Sequence, residues 1–367
     1  MSKNASMGQG HLPSIDGWRA ICLMMVMGSH CGGFKEFKQL TEGYNIPFFF
    51  NGHLGVRMFF VISGFLITHL LIRERQKTGK ISLRNFYIRR ALRILPVYFS
   101  YLSVIALLQV FSVIHQEAIT WFSSLVFIVN FLPRTSISGH LWSLSVEEQF
   151  YLIWPFSFLW LMHKKRVIYL VLMVPFIVAI SCNMLNIMKI TPDILHPLFQ
   201  HQSSLCNFDA LSAGCVAAFL FSSHADRIKS WSLGGKGLIS LVVSTCMLII
   251  PTLNIEITTG LKVVLPSIQA AGFSLLLLIS ISNPNWFKAL NWKPIVQLGV
   301  ISYSVYIWQQ IFCALPCDYH QTKYWWMSFP YWIGSAIAAG FVSFYCLEKP
   351  LLKLRNRYRR ESQFGAL

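Results

Sequence analysis

Five ionisable residues stand in stretches that otherwise read as membrane helix: Arg19, His30, Arg57, Glu147 and Glu148. A charge in hydrocarbon is costly and is rarely kept without a task. His30 is of the type best suited to move a proton near neutral pH, and the chemistry it suggests is general-base catalysis. Its plainer role would be an interhelical hydrogen bond. Arg19 precedes it by eleven residues, three helical turns plus roughly 20°, so the two share a helix face about 16 Å apart. Arg19 near the interface could equally snorkel to water. Glu147 and Glu148, in "HLWSLSVEEQFYLI", point about 100° apart on a helix and cannot face one point. One of them, Glu148 ahead of Glu147, is expected to fix the His30 imidazole and stabilise its cation; the other would hold a structural hydrogen bond. Arg57 needs an anionic partner, and by type a glutamate of "VEEQ" is the nearest. From there it could also stabilise an oxyanion.

A second cationic group lies outside the apolar stretches. "RERQKTGKISLRNFYIRRALRILP" carries eight cations. Arg90 and Arg93 are three apart and should share a helical face at the membrane surface. Two guanidiniums there suit a polyanion such as the phosphates of a nucleotide, although a topogenic loop explains most of the charge. Ser63–Gly64 reads as a close helix contact. Trp142 reads as an interfacial aromatic and His53 as a solvated residue at a helix end. No Cys/His ligand spacing suggests a metal.

The elements that must position these groups are helices. Of the 367 residues, 54% are hydrophobic and 12% charged, with a mean hydropathy of +0.52. Such a chain cannot hide its apolar residues in one water-soluble core, so the fold class is all-α, a polytopic membrane bundle. Apolar runs predict ten spans, about 16–33, 50–72, 94–112, 140–162, 167–186, 204–222, 237–252, 262–281, 295–315 and 327–346. "WFSSLVFIVNFL" (121–132) is too short to cross comfortably and is expected to re-enter, buried in protein. With both termini on the cytoplasmic side, 23 of the 31 Lys and Arg fall inside and 6 in outer loops. The net charge of +17 is thus a matter of topology and membrane lipids rather than of nucleic acid. The cysteines are scattered through apolar segments and do not form a disulfide framework; pairing of Cys313 with Cys317 is not expected. The N-terminus lacks the pattern of a cleaved leader.

In order along the chain, "IDGWRAICLMMVMGSH", "GVRMFFVISGFLI", "RRALRILPVY", "HLWSLSVEEQFYLIWP", "FDALSAGCVAA", "LGVISYSVYIW" and "EKP" resemble the acyltransferase-3 family of integral-membrane O-acyltransferases. The resemblance implies a ten-helix domain that takes an acetyl group from acetyl-CoA and places it on a saccharide hydroxyl. It implies a bacterial inner-membrane location, and a glycan or lipid-linked oligosaccharide as acceptor. Carried over, the family's helix-1 Arg and His fall on Arg19 and His30, its inner-loop pair on Arg90 and Arg93, and its acidic motif on Glu147 and Glu148. One departure is visible: where the family often has His after "SYSVYIW", this chain has Gln309 and Gln310. Residues 1–367 read as one such domain without an SGNH hydrolase, which resembles the single-domain O-antigen, exopolysaccharide and Nod-factor (nodulation) acetyltransferases. Direct transfer and an acyl-enzyme on His30 or Ser143 both stay open. Intramembrane Arg, His and Glu would also fit a proton-coupled transporter or flippase.

Overall fold

The computed structural model describes residues 12–31, 50–190, 196–250, 258–319 and 324–354, with side chains except those of Lys165 and 315–319. Cys317 and the tail beyond Leu354 therefore lie outside the described side chains. Among the described residues ten long helices follow one another: α1 (Ile15–Cys31), α2 (Gly52–Thr78), α3 (Leu83–Val110), α4 (Leu141–Leu161), α5 (Lys165–Met188), α6 (Phe208–Leu233), α7 (Gly235–Ile249), α8 (Thr259–Ser282), α9 (Lys293–Tyr319) and α10 (Tyr331–Ser343). No strand occurs among the described residues. Each helix coincides with one span expected from the apolar runs, because in hydrocarbon a helix satisfies its own backbone.

By length and composition α2, α3, α5, α6 and α8 are each long and apolar enough to cross a membrane. In α4 the run Glu147–Gln149 interrupts an otherwise apolar helix. Leu152, Ile153, Phe156 and Trp160 on α4, and Leu170, Val174 and Ile177 on α5, are exposed. Outward apolar surface on this scale belongs against lipid.

Local signals set the ends. Asn51 caps α2, its side chain accepting from Leu54 N, and Gly79 closes the helix in the left-handed region at φ 69°. Ser82 caps α3 by accepting from Asn85 N. Between α3 and α4 the chain folds back as a short helix (Ala118–Leu125), turns, and a helical turn at 136–139. Tyr98 donates to Ser124 O, Tyr101 to Ile137 O, and Gln149 to Phe127 O. These bonds tie the segment between the two helices to α3 and α4. Gln310 donates to Ser136 O and ties α9 to the same region.

Small residues bring helices close. A Cβ at Gly64 would meet Leu211 O at 2.0 Å, and one at Gly214 would meet Val61 O at 2.0 Å. α2 and α6 are therefore in near backbone contact. The same proximity fixes levels in the bundle: Gly52 abuts Ser29, so the end of α1 is level with the start of α2.

Candidate functional site

A cavity of about 750 Å³, counting the space at its open mouth, lies between α1, α2, α3, α4 and α9. Its walls are largely apolar (Val56, Phe59, Phe60, Leu66, Ile94, Leu144), with polar groups at intervals. On α2 the lining runs from Val56 to Leu66, about 15 Å at the helical rise, so the cavity is a shaft parallel to the helices.

Three guanidiniums gather toward one end: Arg19 from α1, and Arg90 and Arg93 from α3. The spacing of three does what it was expected to do, since one face of α3 presents both. Arg90 lies over the ring of Tyr151 at 5.2 Å and of Phe86 at 5.8 Å. The neighbouring Arg89 is engaged elsewhere, bonded to Glu74 at 2.7 Å. Arg19 keeps a long contact to Asp16, 3.4 Å.

Glu147 faces this cationic end. Ser63 donates to its Oε1 at 2.7 Å and Tyr151 to its Oε2 at 2.9 Å. Arg90, Arg93 and Arg19 are all within electrostatic reach of it. What offsets this intramembrane charge is therefore a set of three cations plus two hydroxyl donors. Glu148, about 100° round the helix, does not line the cavity. It sits within electrostatic reach of Arg90, Tyr98 and Tyr303, and its Oε1 accepts no hydrogen bond. A further carboxylate, Glu348, lies in the π-helical turn that follows α10. It is buried, accepts from Ser304 at 3.0 Å, and is within electrostatic reach of Arg19.

Higher in the shaft, Ser143 Oγ and Tyr306 Oη lie 2.6 Å apart, and Tyr306 also donates to His140 O at 3.0 Å. The His140 ring packs on Tyr306 at 5.6 Å and Tyr101 at 5.2 Å. His30 is within electrostatic reach of His140, beyond this end of the shaft, and is not itself a lining residue.

The expected pairing of His30 with a glutamate is not formed. No bond joins His30 to Glu147 or Glu148, and the levels explain why. Residue 29 abuts Gly52, whereas Glu147 is held by Ser63, eleven residues further along α2. That separates His30 from Glu147 by about 16 Å along the bundle. Arg57 is likewise not the partner of a "VEEQ" glutamate. It is 2% exposed and bonded to Asp209 at 2.7 Å. It also donates to Asn207 Oδ1 and to the carbonyls of Cys206 and Pro266. Asp209, fully buried, accepts in addition from Ser267 at 2.7 Å. This network joins α2, α6 and α8 on the side away from the shaft, so Arg57 is a structural tie.

Tyr151, Tyr306 and Glu348 are lining or supporting residues that the sequence reading does not single out. For Tyr151 a signal was present: it follows Glu147 by four and shares its face. Ser63 and Gly64 are both expected to serve packing; Gly64 does so against Leu211, whereas Ser63 donates to Glu147.

Comparison with known proteins places the chain. A family profile described as an acyltransferase domain matches residues 12–348. A peptidoglycan O-acetyltransferase OatA of Listeria monocytogenes is 26% identical over 340 residues, 84% of this chain and 50% of its own length. An O-acetyltransferase OatA of Staphylococcus aureus is 31% identical over 329 residues, 81% of this chain and 50% of its own. The chain thus spans about half the length of the curated relatives it matches. No solved structure matches it.

Proposed function

We propose that this chain, which belongs to the acyltransferase-3 family of membrane acyltransferases, moves an acetyl group from acetyl-CoA to a saccharide hydroxyl. The observation that carries the proposal is the shaft: three guanidiniums at one end, and a histidine about 16 Å away beyond the other. Two arginines on one helical face suit phosphate oxygens bidentately. From them an apolar channel runs toward the level of His30 as far as Ser143 and Tyr306, a shape that suits a long, thin acyl-thioester arm.

In this reading Arg90, Arg93 and Arg19 hold the phosphates of acetyl-CoA. Glu147 supports them through Tyr151, on whose ring Arg90 rests. His30, on the α1 face that carries Arg19, takes the proton of the acceptor hydroxyl as its oxygen attacks the thioester carbonyl. The C–S bond breaks, the CoA thiolate leaves, and the proton on the imidazole passes to that sulfur. Neither glutamate orients the imidazole, so His30 acts without the acid of a triad.

In the same reading the end of the bundle that carries the basic stretches 73–93, 163–166 and 227–236 faces the cytoplasm together with both termini, and the membrane is the bacterial cytoplasmic one. The acceptor is a saccharide of the cell surface. One relative is named for peptidoglycan, which joins O-antigen, exopolysaccharide and lipo-chitooligosaccharide as acceptors to try.

The test uses the full chain purified in nanodiscs with acetyl-CoA and a panel of oligosaccharides, reading CoA release and the acetyl ester on the sugar by mass spectrometry. His30→Ala should abolish ester formation. Ester formation at the wild-type rate by that variant would remove His30 as the base. A wild-type chain that moves a glycan across the bilayer and consumes no thioester would make it a transporter.

A further inference from the structure

Around the histidine end of the shaft, three aromatic side chains from separate elements converge, and none of them has a part in the acetyl transfer itself. The His53 ring, at the start of α2, lies nearly parallel to that of Trp142, at the start of α4, with centroids 6.3 Å apart and planes at 13°. His201, in the segment before α6, meets His53 edge-on at 6.3 Å and 76°. His53 and His201 are exposed and Trp142 is partly exposed. Trp142 adjoins Ser143, which lines the shaft. His53 follows Gly52, which is level with the residue before His30.

The cluster is held from behind. Phe60, 1% exposed, sets its edge against Trp142 at 5.9 Å. The His201 carbonyl accepts from Asn207 at 2.7 Å, and Asn207 is itself bonded by the buried Arg57. Exposed imidazoles on a segment anchored by a buried ion pair are pre-organised, which lowers the cost of binding a ligand on them.

We propose that His53, Trp142 and His201 form the acceptor subsite, stacking the C–H face of one pyranose ring so that a hydroxyl of that ring or its neighbour reaches His30. A pyranose offers an apolar C–H face and an equatorial belt of hydroxyls. An indole supplies the apolar platform, and two imidazoles supply ring nitrogens that donate to or accept from those hydroxyls. The cation within electrostatic reach of His53 is Arg57, and it is sealed in its pair with Asp209, so it is not presented to a free phosphate or an acidic peptide. The inference rests on the saccharide-acetylation reading and deepens it by assigning where the sugar lies.

The experiment measures CoA release from acetyl-CoA by the full chain in nanodiscs, titrating chitotetraose, maltotetraose and a peptidoglycan-derived disaccharide. Wild type should be stimulated saturably by at least one of them. His53→Ala and His201→Ala should each raise KM for that sugar about tenfold, corresponding to roughly 1.4 kcal/mol. Trp142→Phe, which keeps an aromatic face in the core, should raise it less than Trp142→Leu. Trp325→Ala, which removes an exposed aromatic between α9 and α10, is the control and should leave KM alone. Unchanged KM in both histidine variants, or thioester turnover that no sugar stimulates, overturns the subsite while leaving donor chemistry standing. A wild type without any thioester turnover overturns the acetylation reading itself.

Discussion

Arg57 gives the sharpest test of how the bundle is built, because its residue type suggests chemistry and its surroundings say otherwise. Its guanidinium is bonded to Asp209 at 2.7 Å, to Asn207 at 3.2 Å and to two carbonyls, with both partners of the ion pair essentially sealed from solvent. Replacing Arg57 with Leu leaves the Asp209 carboxylate buried beside Ser267 Oγ and Ala210 N, without a countercharge. Breaking one partner of such a pair costs about 3–5 kcal/mol. At a few degrees per kcal/mol for a large domain, the unfolding midpoint should fall by on the order of 10 °C. Arg57→Leu combined with Asp209→Asn removes both charges, so the double variant should recover a large part of that loss. The assay is thermal unfolding in detergent followed by size exclusion, with acetyl transfer measured below each midpoint. Arg57→Leu that keeps the wild-type midpoint yet loses all transfer would refute the structural assignment and return Arg57 to the catalytic machinery.

Other outcomes follow from the same geometry. Arg90→Lys should raise KM for acetyl-CoA, since an ammonium reproduces neither the planar fork nor its seat on Tyr151; initial rates at varied acetyl-CoA check this. Tyr151→Phe removes one donor to a carboxylate, worth about 1.5–3 kcal/mol, and should weaken acetyl-CoA binding, measured by titration, more than it slows turnover at saturation. Gly64→Val places side-chain atoms within 2.0 Å of Leu211 O, so α2 and α6 must part; the protein should run aggregated or unfold early on size exclusion.

How much of this could be read beforehand differs from residue to residue. The ten helices were legible, because a run of apolar residues long enough to span hydrocarbon has few other ways to satisfy its backbone. Faces within one helix were legible as well. The 3.6-residue period puts Arg90 with Arg93, Arg19 with His30, and Glu147 with Tyr151 whatever the rest of the chain does. The period also shows that Glu147 and Glu148 point to different places, and they do: one faces the shaft and the other lies between α3 and α9.

What the period leaves open is the rotation and height of each helix against its neighbours. Those are set by where small residues let backbones touch, such as Gly64 on Leu211 and Gly52 on Ser29. Hence the acid that holds Arg57 comes from Asp209, 152 positions along the chain, and not from the pair of glutamates that composition suggested. Hence also Glu147 stands with the arginines and about 16 Å below His30. The sequence by itself determined a membrane bundle with a cationic face, a histidine and two acids. Only the tertiary packing decided which charges meet, because contacts between helices depend on side-chain shape at distant positions and no local rule encodes them.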